Sequence, residues 1–243
     1  MKDKHFIIIG IVFVAAAVAA VIFGSDLKPQ NLPQPIPYQE TETSVLGAET
    51  NPSSFPAEVN LAVPFTSQAP HTIWDEEHKE FCEEASVLMT ASYIQNQPIP
   101  DPDFAEEQLQ KIKNWEVINL GYYKDTTASE TAQILTEYFG IKKVELASDP
   151  SLEQIKQALA QGKLVILPAA GRQLNNPNYR QPGPLYHMLV IKGYTKDGRI
   201  ITNDPGTRNG ADYIFEADVI MNAMHDWNDG DVENGEKIII VVG

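Results

Sequence analysis

The chain has 243 residues, 43% of them hydrophobic and 21% charged, which is enough apolar material for one packed domain or two small ones. Asp and Glu number 33 against 18 Lys and Arg, a net charge of −15 with a pI near 4.7. That balance argues against nucleic acid as a main partner and against electrostatic docking onto anionic lipid. The single cysteine, Cys82, excludes an intrachain disulfide framework and a Cys-based zinc or iron–sulfur site; no metal or other cofactor is expected.

Phe6 to Phe23 is an unbroken run of 18 apolar or small residues. As a helix it reaches about 27 Å, close to a hydrocarbon core of about 30 Å. Lys2 and Lys4 precede it, so residues 1–24 predict a membrane anchor with the rest of the chain outside the cytoplasm. The rival is a cleaved signal peptide and a secreted protein, although Ala17 to Ala20 lie inside the run and no small-x-small site clearly follows it. No cysteine lies nearby for lipoprotein-type anchoring. Residues 25–56 contain Pro29, Pro33, Pro35, Pro37, Pro52 and Pro56 without an apolar pattern, and predict an extended tether. A globular domain is expected over 57–243.

That domain opens with a short apolar stretch, Val59 to Phe65. Ala85, Leu88, Met89 and Ser92 recur at helical spacing, so a helix is expected over 82–95. Asp101-Pro102 starts a second helix, to about Lys113. Thr127 and Glu130 form a capping box for a third, ending at Gly140. Asp149-Pro150 starts a fourth, ended by Gly162. Strands follow at Leu164 to Leu167, Tyr186 to Tyr194, Arg199 to Thr202, Ala211 to Phe215 and Lys237 to Val242, with Lys196-Asp197-Gly198 as a hairpin turn. Helices first and mostly antiparallel strands later are the pattern of an α+β fold.

A lone cysteine outside the cell is a liability unless it is used or buried. Cys82 falls at a helix start, where the dipole and free N–H groups favour a thiolate. Glu83 and Glu84 oppose a thiolate by like-charge repulsion, so a histidine partner is needed. His71 and His78, with Asp75, have no usual ligand spacing and read as a solvated loop; His225 lies in an acidic loop. His187 stands inside an apolar strand, where a buried imidazole needs a partner. Past the hairpin, Asp204 is brought back towards His187 by nearly equal arm lengths, and a carboxylate there would fix the imidazole tautomer. Read separately, each also fits a bland role: a buried thiol, a core histidine and an Asx-Pro-Gly turn.

Together the residues resemble a known arrangement. The chain reads Leu-Ala-Val-Pro-Phe-Thr-Ser-Gln-Ala-Pro from Leu61, then Trp74, then Cys-Glu-Glu-Ala-Ser from Cys82, then Met89 and Tyr93. Its C-terminal part reads His187-Met-Leu-Val-Ile-Lys-Gly-Tyr194, then Asn-Asp-Pro-Gly, then Asn222-Ala223 and His225-Asp226-Trp227. Over about 60–243 this resembles the stand-alone cysteine peptidases related to the bacteriocin-processing, double-glycine-cleaving peptidases, of papain-like fold. The resemblance implies an α+β domain with its nucleophile at a helix start. It implies Cys82 as nucleophile, His187 as general base, Asp204 as the residue that orients His187, and Gln68 as an oxyanion-hole donor beside the Cys82 N–H.

The implied activity is hydrolysis of peptide bonds through a thioester, with a peptide or protein as substrate. The chain lacks the nucleotide-binding and multi-span segments of transporter-linked relatives. The Gly-, Pro-, Asn- and Gln-rich stretch Ala170 to Pro184 is expected to edge the cleft and shape specificity, which sets double-glycine preference in question. The acidic stretch His225 to Glu236 has the wrong register for a calcium loop and reads as a solvated connection. The rival functions are a peptide- or wall-binding module without turnover, a thioester acyl transferase, and a surface spacer with an inert thiol.

Overall fold

A strand of nine residues, all buried, forms the centre of the fold. The computed structural model describes residues 32–39 and 55–243. The apolar run 6–23 and most of the proline-rich stretch lie outside these residues, and with them the anchor and signal-peptide expectations. Among the described residues no helix is long and apolar enough to cross a membrane.

The strands are β1 (Val59–Asn60), β2 (Val144–Ser148), β3 (Leu164–Ala170), β4 (Tyr186–Tyr194), β5 (Ile200–Asn203), β6 (Tyr213–Phe215) and β7 (Ile238–Val242). They form one sheet in the order β2-β7-β3-β4-β5-β6, with β1 also paired to β4, and every pairing is antiparallel. The helices are α1 (Cys82–Ile94), α2 (Pro102–Asn119), α3 (Ala128–Gln133), α4 (Leu152–Ala160) and α5 (Ala217–Ala223). α1 and α4 pack on β3 and β4. The result is the expected α+β architecture, with the helices packed on a wholly antiparallel sheet.

β4 is continuously buried because neighbours cover it, so its sequence is an apolar run and not an alternation. α1 is buried from Cys82 to Tyr93, and a helix enclosed on all sides has no polar stripe to read. Each fully buried Leu, Val or Met it places in the core contributes about 1.5–3 kcal/mol.

Several boundaries differ from expectation for local reasons. β1 is only two residues long. α2 runs to Asn119, not Lys113, because no stop signal intervenes before Gly121, which has a φ of 89°; its Asp101 cap accepts the Phe104 N–H at 2.8 Å. The Thr127–Glu130 capping box opens α3, which continues as a π-helical turn over Ile134–Tyr138 and stops before Gly140. α4 begins one signal later than Asp149-Pro150: Asp149 adopts a left-handed φ of 46°, and Ser151 with Gln154 forms the capping box. β2 and α5 carry no strong pattern; β2 is an edge strand with no fully buried residue.

Two features set the site's geometry. β4 carries a bulge between Ile191 and Gly193 where β5 pairs, and Lys192 there reaches Asp212 at 2.5 Å. Beyond the bulge Val190 pairs with Asn203, so Asp204 leaves β5 alongside the first half of β4. Gly193 is required where β1 crosses, since a Cβ there would lie 2.1 Å from the Val59 carbonyl. Residues 32–39 lie along the same edge. The Ile36 N–H donates to the Asn60 carbonyl at 2.7 Å, and the Ile36 carbonyl accepts the Ala62 N–H at 2.8 Å.

Candidate active site

Cys82, His187 and Gln68 line one cavity of about 830 Å³, and Asp204 supports it from behind. Cys82 is the first residue of α1, directly after a 3-10 turn (His78–Glu80) and the fully buried Phe81. Its thiol is buried and donates to Glu83 Oε2 at 3.0 Å. Burial, followed by the charge and hydrogen bond of Glu83 and the charge of Glu84, pushes the thiol up well above its ordinary range. The backbone N–H of Met188, next to His187, acts in the opposite direction.

His187 is 1% exposed on β4, and its Nε2 lies 2.8 Å from Asp204 Oδ1. The hairpin expectation therefore holds: Asp204 and His187 meet. A carboxylate on Nε2 puts the proton of a neutral ring there and leaves Nδ1 as the acceptor. The Tyr179 ring packs edge-on against His187, 5.4 Å between centroids.

Asp204 is fully buried and accepts four hydrogen bonds from protein groups. Oδ1 also accepts the Gly206 N–H at 3.0 Å. Oδ2 accepts Asn176 Nδ2 at 2.9 Å and the Tyr179 hydroxyl at 2.6 Å. Burial alone would raise this carboxyl. The charge and hydrogen bond of His187, with the bonds from Tyr179 and Gly206, hold it below its ordinary value.

Gln68 is tied to this centre through backbone: its N–H donates to the Pro205 carbonyl at 3.0 Å. Gln68 Nε2 donates to the His78 carbonyl at 2.9 Å, leaving its second hydrogen free, and Oε1 has no partner. His78 is held between Asp75 at 2.7 Å and Glu106 at 2.9 Å. The 71–78 stretch is thus pinned to α2 at this point and is more than a solvated loop. His71 pairs with Asp103. His225 Nδ1 bonds the Gly235 carbonyl. Among the described residues no cluster of His, Cys, Asp and Glu could hold a metal.

The rest of the cavity comes from the stretches expected to edge it. Asn178, Tyr179, Arg180, Gly183 and Pro184 line one side. Trp227 lines another and packs on Tyr186, 5.6 Å between ring centroids. The neighbouring Asp226 is not simply solvated: its carboxylate accepts the Tyr186 hydroxyl and the Ala128 N–H, fastening the 225–236 stretch to β4 and α3. Asn176 and Tyr179 sit in a stretch with no periodicity to mark them in the sequence, and Asp125 approaches Glu83 only through the fold.

The profile of the Peptidase C39-like family matches residues 60–229. No curated protein matches the chain. Among solved structures, a C39-like peptidase from Bacillus anthracis is similar at 16% identity, covering 76% of this chain and 98% of its own, with a TM-score of 0.50. The interpain A cysteine protease of Prevotella intermedia is similar in two forms. The precursor fragment has 13% identity, coverage of 78% and 73%, and a TM-score of 0.47. The active enzyme has 12% identity, coverage of 79% and 96%, and a TM-score of 0.45.

Proposed function

The chain belongs to the Peptidase C39-like family, and we propose that it hydrolyses peptide bonds with Cys82 as nucleophile, His187 as general base and Asp204 as the residue that holds His187. The observation that carries this reading is the buried His187–Asp204 pair at 2.8 Å beside the cavity that Cys82 lines.

In the resting arrangement the thiol proton points at Glu83. Catalysis begins when the thiol turns to His187 Nδ1 and gives up that proton. The thiolate attacks the substrate carbonyl, and the new oxyanion accepts from the Cys82 N–H and the free Nε2 hydrogen of Gln68. The imidazolium, steadied by the ionised Asp204, then protonates the leaving amine and a thioester remains. His187 next takes a proton from water, which attacks the thioester and releases the acid and the thiol.

The test is cleavage of a peptide mixture by the full chain, read by product mass. Cys82→Ala and His187→Ala are expected to abolish turnover with the fold intact. Undiminished cleavage by either variant overturns the mechanism. Products carrying an added amine in place of water would make the chain an acyl transferase through the same thioester.

One observation favours a second reading. A thiol raised by burial and bonded to a carboxylate suits a module that binds peptides without cleaving them. Binding with no product at high protein concentration would select it. The location is also part of the proposal: the run 6–23 with Lys2 and Lys4 supports an N-terminal anchor that holds the domain outside the cytoplasm.

A further inference from the structure

One wall of the cavity carries three carboxylates that the protein leaves without a cation. Glu80 comes from the turn before α1, Glu83 from its first turn, and Asp125 from the loop between α2 and α3; all three line the cavity with Cys82. None takes part in an ion pair among the described residues. Their immediate neighbours behave differently. Asp75 pairs with His78, Glu76 with Lys79, and Glu77 with Lys113. The segment 75–80 thus satisfies every acid except the one that lines the cavity.

Glu83 adds an independent sign of a missing partner. It is 1% exposed, and while Oε2 accepts the Cys82 thiol, Oε1 is buried with no hydrogen-bond donor. An orphaned buried acceptor is costly unless a ligand supplies the donor. The three groups also repel one another. Asp125 is pushed up to about 6 by burial and then by Glu80. Glu83 is pushed up by burial, with Asp125 and Glu116 adding to it. The cavity's own cations do not relieve this: Lys79 is taken by Glu76, while Arg180 and Arg208 are exposed on the loops from the other end of the chain. Lys124 acts on Asp125 but makes no ion pair with it and lies over the Tyr123 ring.

We infer that the Glu80–Glu83–Asp125 wall is a specificity pocket for a cationic side chain, Lys or Arg, of the peptide substrate. This rests on reading the cavity as a peptidase site. Glu83 touches the Cys82 thiol, so the cationic residue sits within one side chain's reach of the cleaved bond.

The full chain is given matched peptides in which one position at a time holds Lys, Arg, norleucine or Glu, and cleavage is read by mass. Peptides with Lys or Arg near the cut are expected to be cleaved with kcat/KM about tenfold or more above norleucine, the effect of one desolvated charge contact. That ratio should collapse in Asp125→Asn and Glu80→Gln. In parallel, agmatine, against 1-pentanol as the uncharged control, should raise Tm of the wild type and not of Asp125→Asn. Cleavage without preference and no agmatine shift overturns the pocket and leaves the peptidase reading standing. An agmatine shift lost in Asp125→Asn, with no peptide cleaved, supports the pocket and overturns the peptidase.

Discussion

Gly206 shows how closely the site is drawn around His187. A Cβ at this position would lie 2.8 Å from His187 Cε1 and 3.1 Å from Nε2, with the Tyr179 ring at 3.0 Å. Only the absence of a side chain lets the Gly206 N–H reach Asp204 while the imidazole stays on the same carboxylate. Gly206→Ala is predicted to push the ring off Asp204 and lower kcat/KM by about tenfold or more, since overpacking of this kind costs about 1–3 kcal/mol. Wild-type kcat/KM in that variant would contradict the arrangement. At this scale Cys82, His187 and Asp204 were legible because residue type and position in an element coincide: a thiol at a helix start, an imidazole in an apolar strand, a carboxylate past a hairpin. Asn176 and Tyr179 were not legible. Their role is to fill Asp204's remaining lone pairs, and nothing in an aperiodic loop marks that.

The contact between α1 and α2 contains a pair of acids. Glu84 and Glu116 are fully buried, and their only side-chain partner is each other, so one of the two carboxyls carries the shared proton. Burial, joined by Glu116 and Glu83, pushes Glu84 up; burial pushes Glu116 up to about 8. A folded value raised above the ordinary 4.5 means that the folded state holds the extra proton. The pair's stability contribution is therefore complete below about pH 4.5 and is lost as pH rises through about 8. Glu116→Gln removes that titration. It is predicted to raise stability at pH 8 by on the order of 2–4 kcal/mol relative to wild type, and much less at pH 5. Urea unfolding at the two pH values checks this; an equal change at both contradicts it. Asp204 works with the opposite sign, because its lowered value supports folding above its ordinary range and loses that support only in acid. Capping signals made most helix starts readable at this scale. The start of α4 was misread because Asp149-Pro150 and Ser151 offer competing caps, and β2 was missed because an exposed edge strand needs no apolar alternation.

For the molecule as a whole, the order of helices followed by strands made the α+β class readable, and the turn at Lys196–Gly198 made its central hairpin readable. The sheet order was not, since β7 enters between β2 and β3 from the far end of the chain and no local pattern encodes that. The N-terminal anchor is a proposal that the apolar run 6–23 behind Lys2 and Lys4 supports. The protein isolated from membranes is predicted to keep its N-terminus, so that its intact mass equals that of the whole chain; a mass lacking the first residues would mean signal cleavage. The proposed mechanism has His187 activate Cys82 for attack. Its most direct measurement is the rate at which a peptidyl chloromethyl ketone adds to the protein, followed by intact mass in wild type, Cys82→Ala and His187→Ala. One adduct is expected on wild type, none on Cys82→Ala, and a rate at least about a hundredfold lower in His187→Ala, the usual worth of a positioned base. Labelling of His187→Ala as fast as wild type would contradict it.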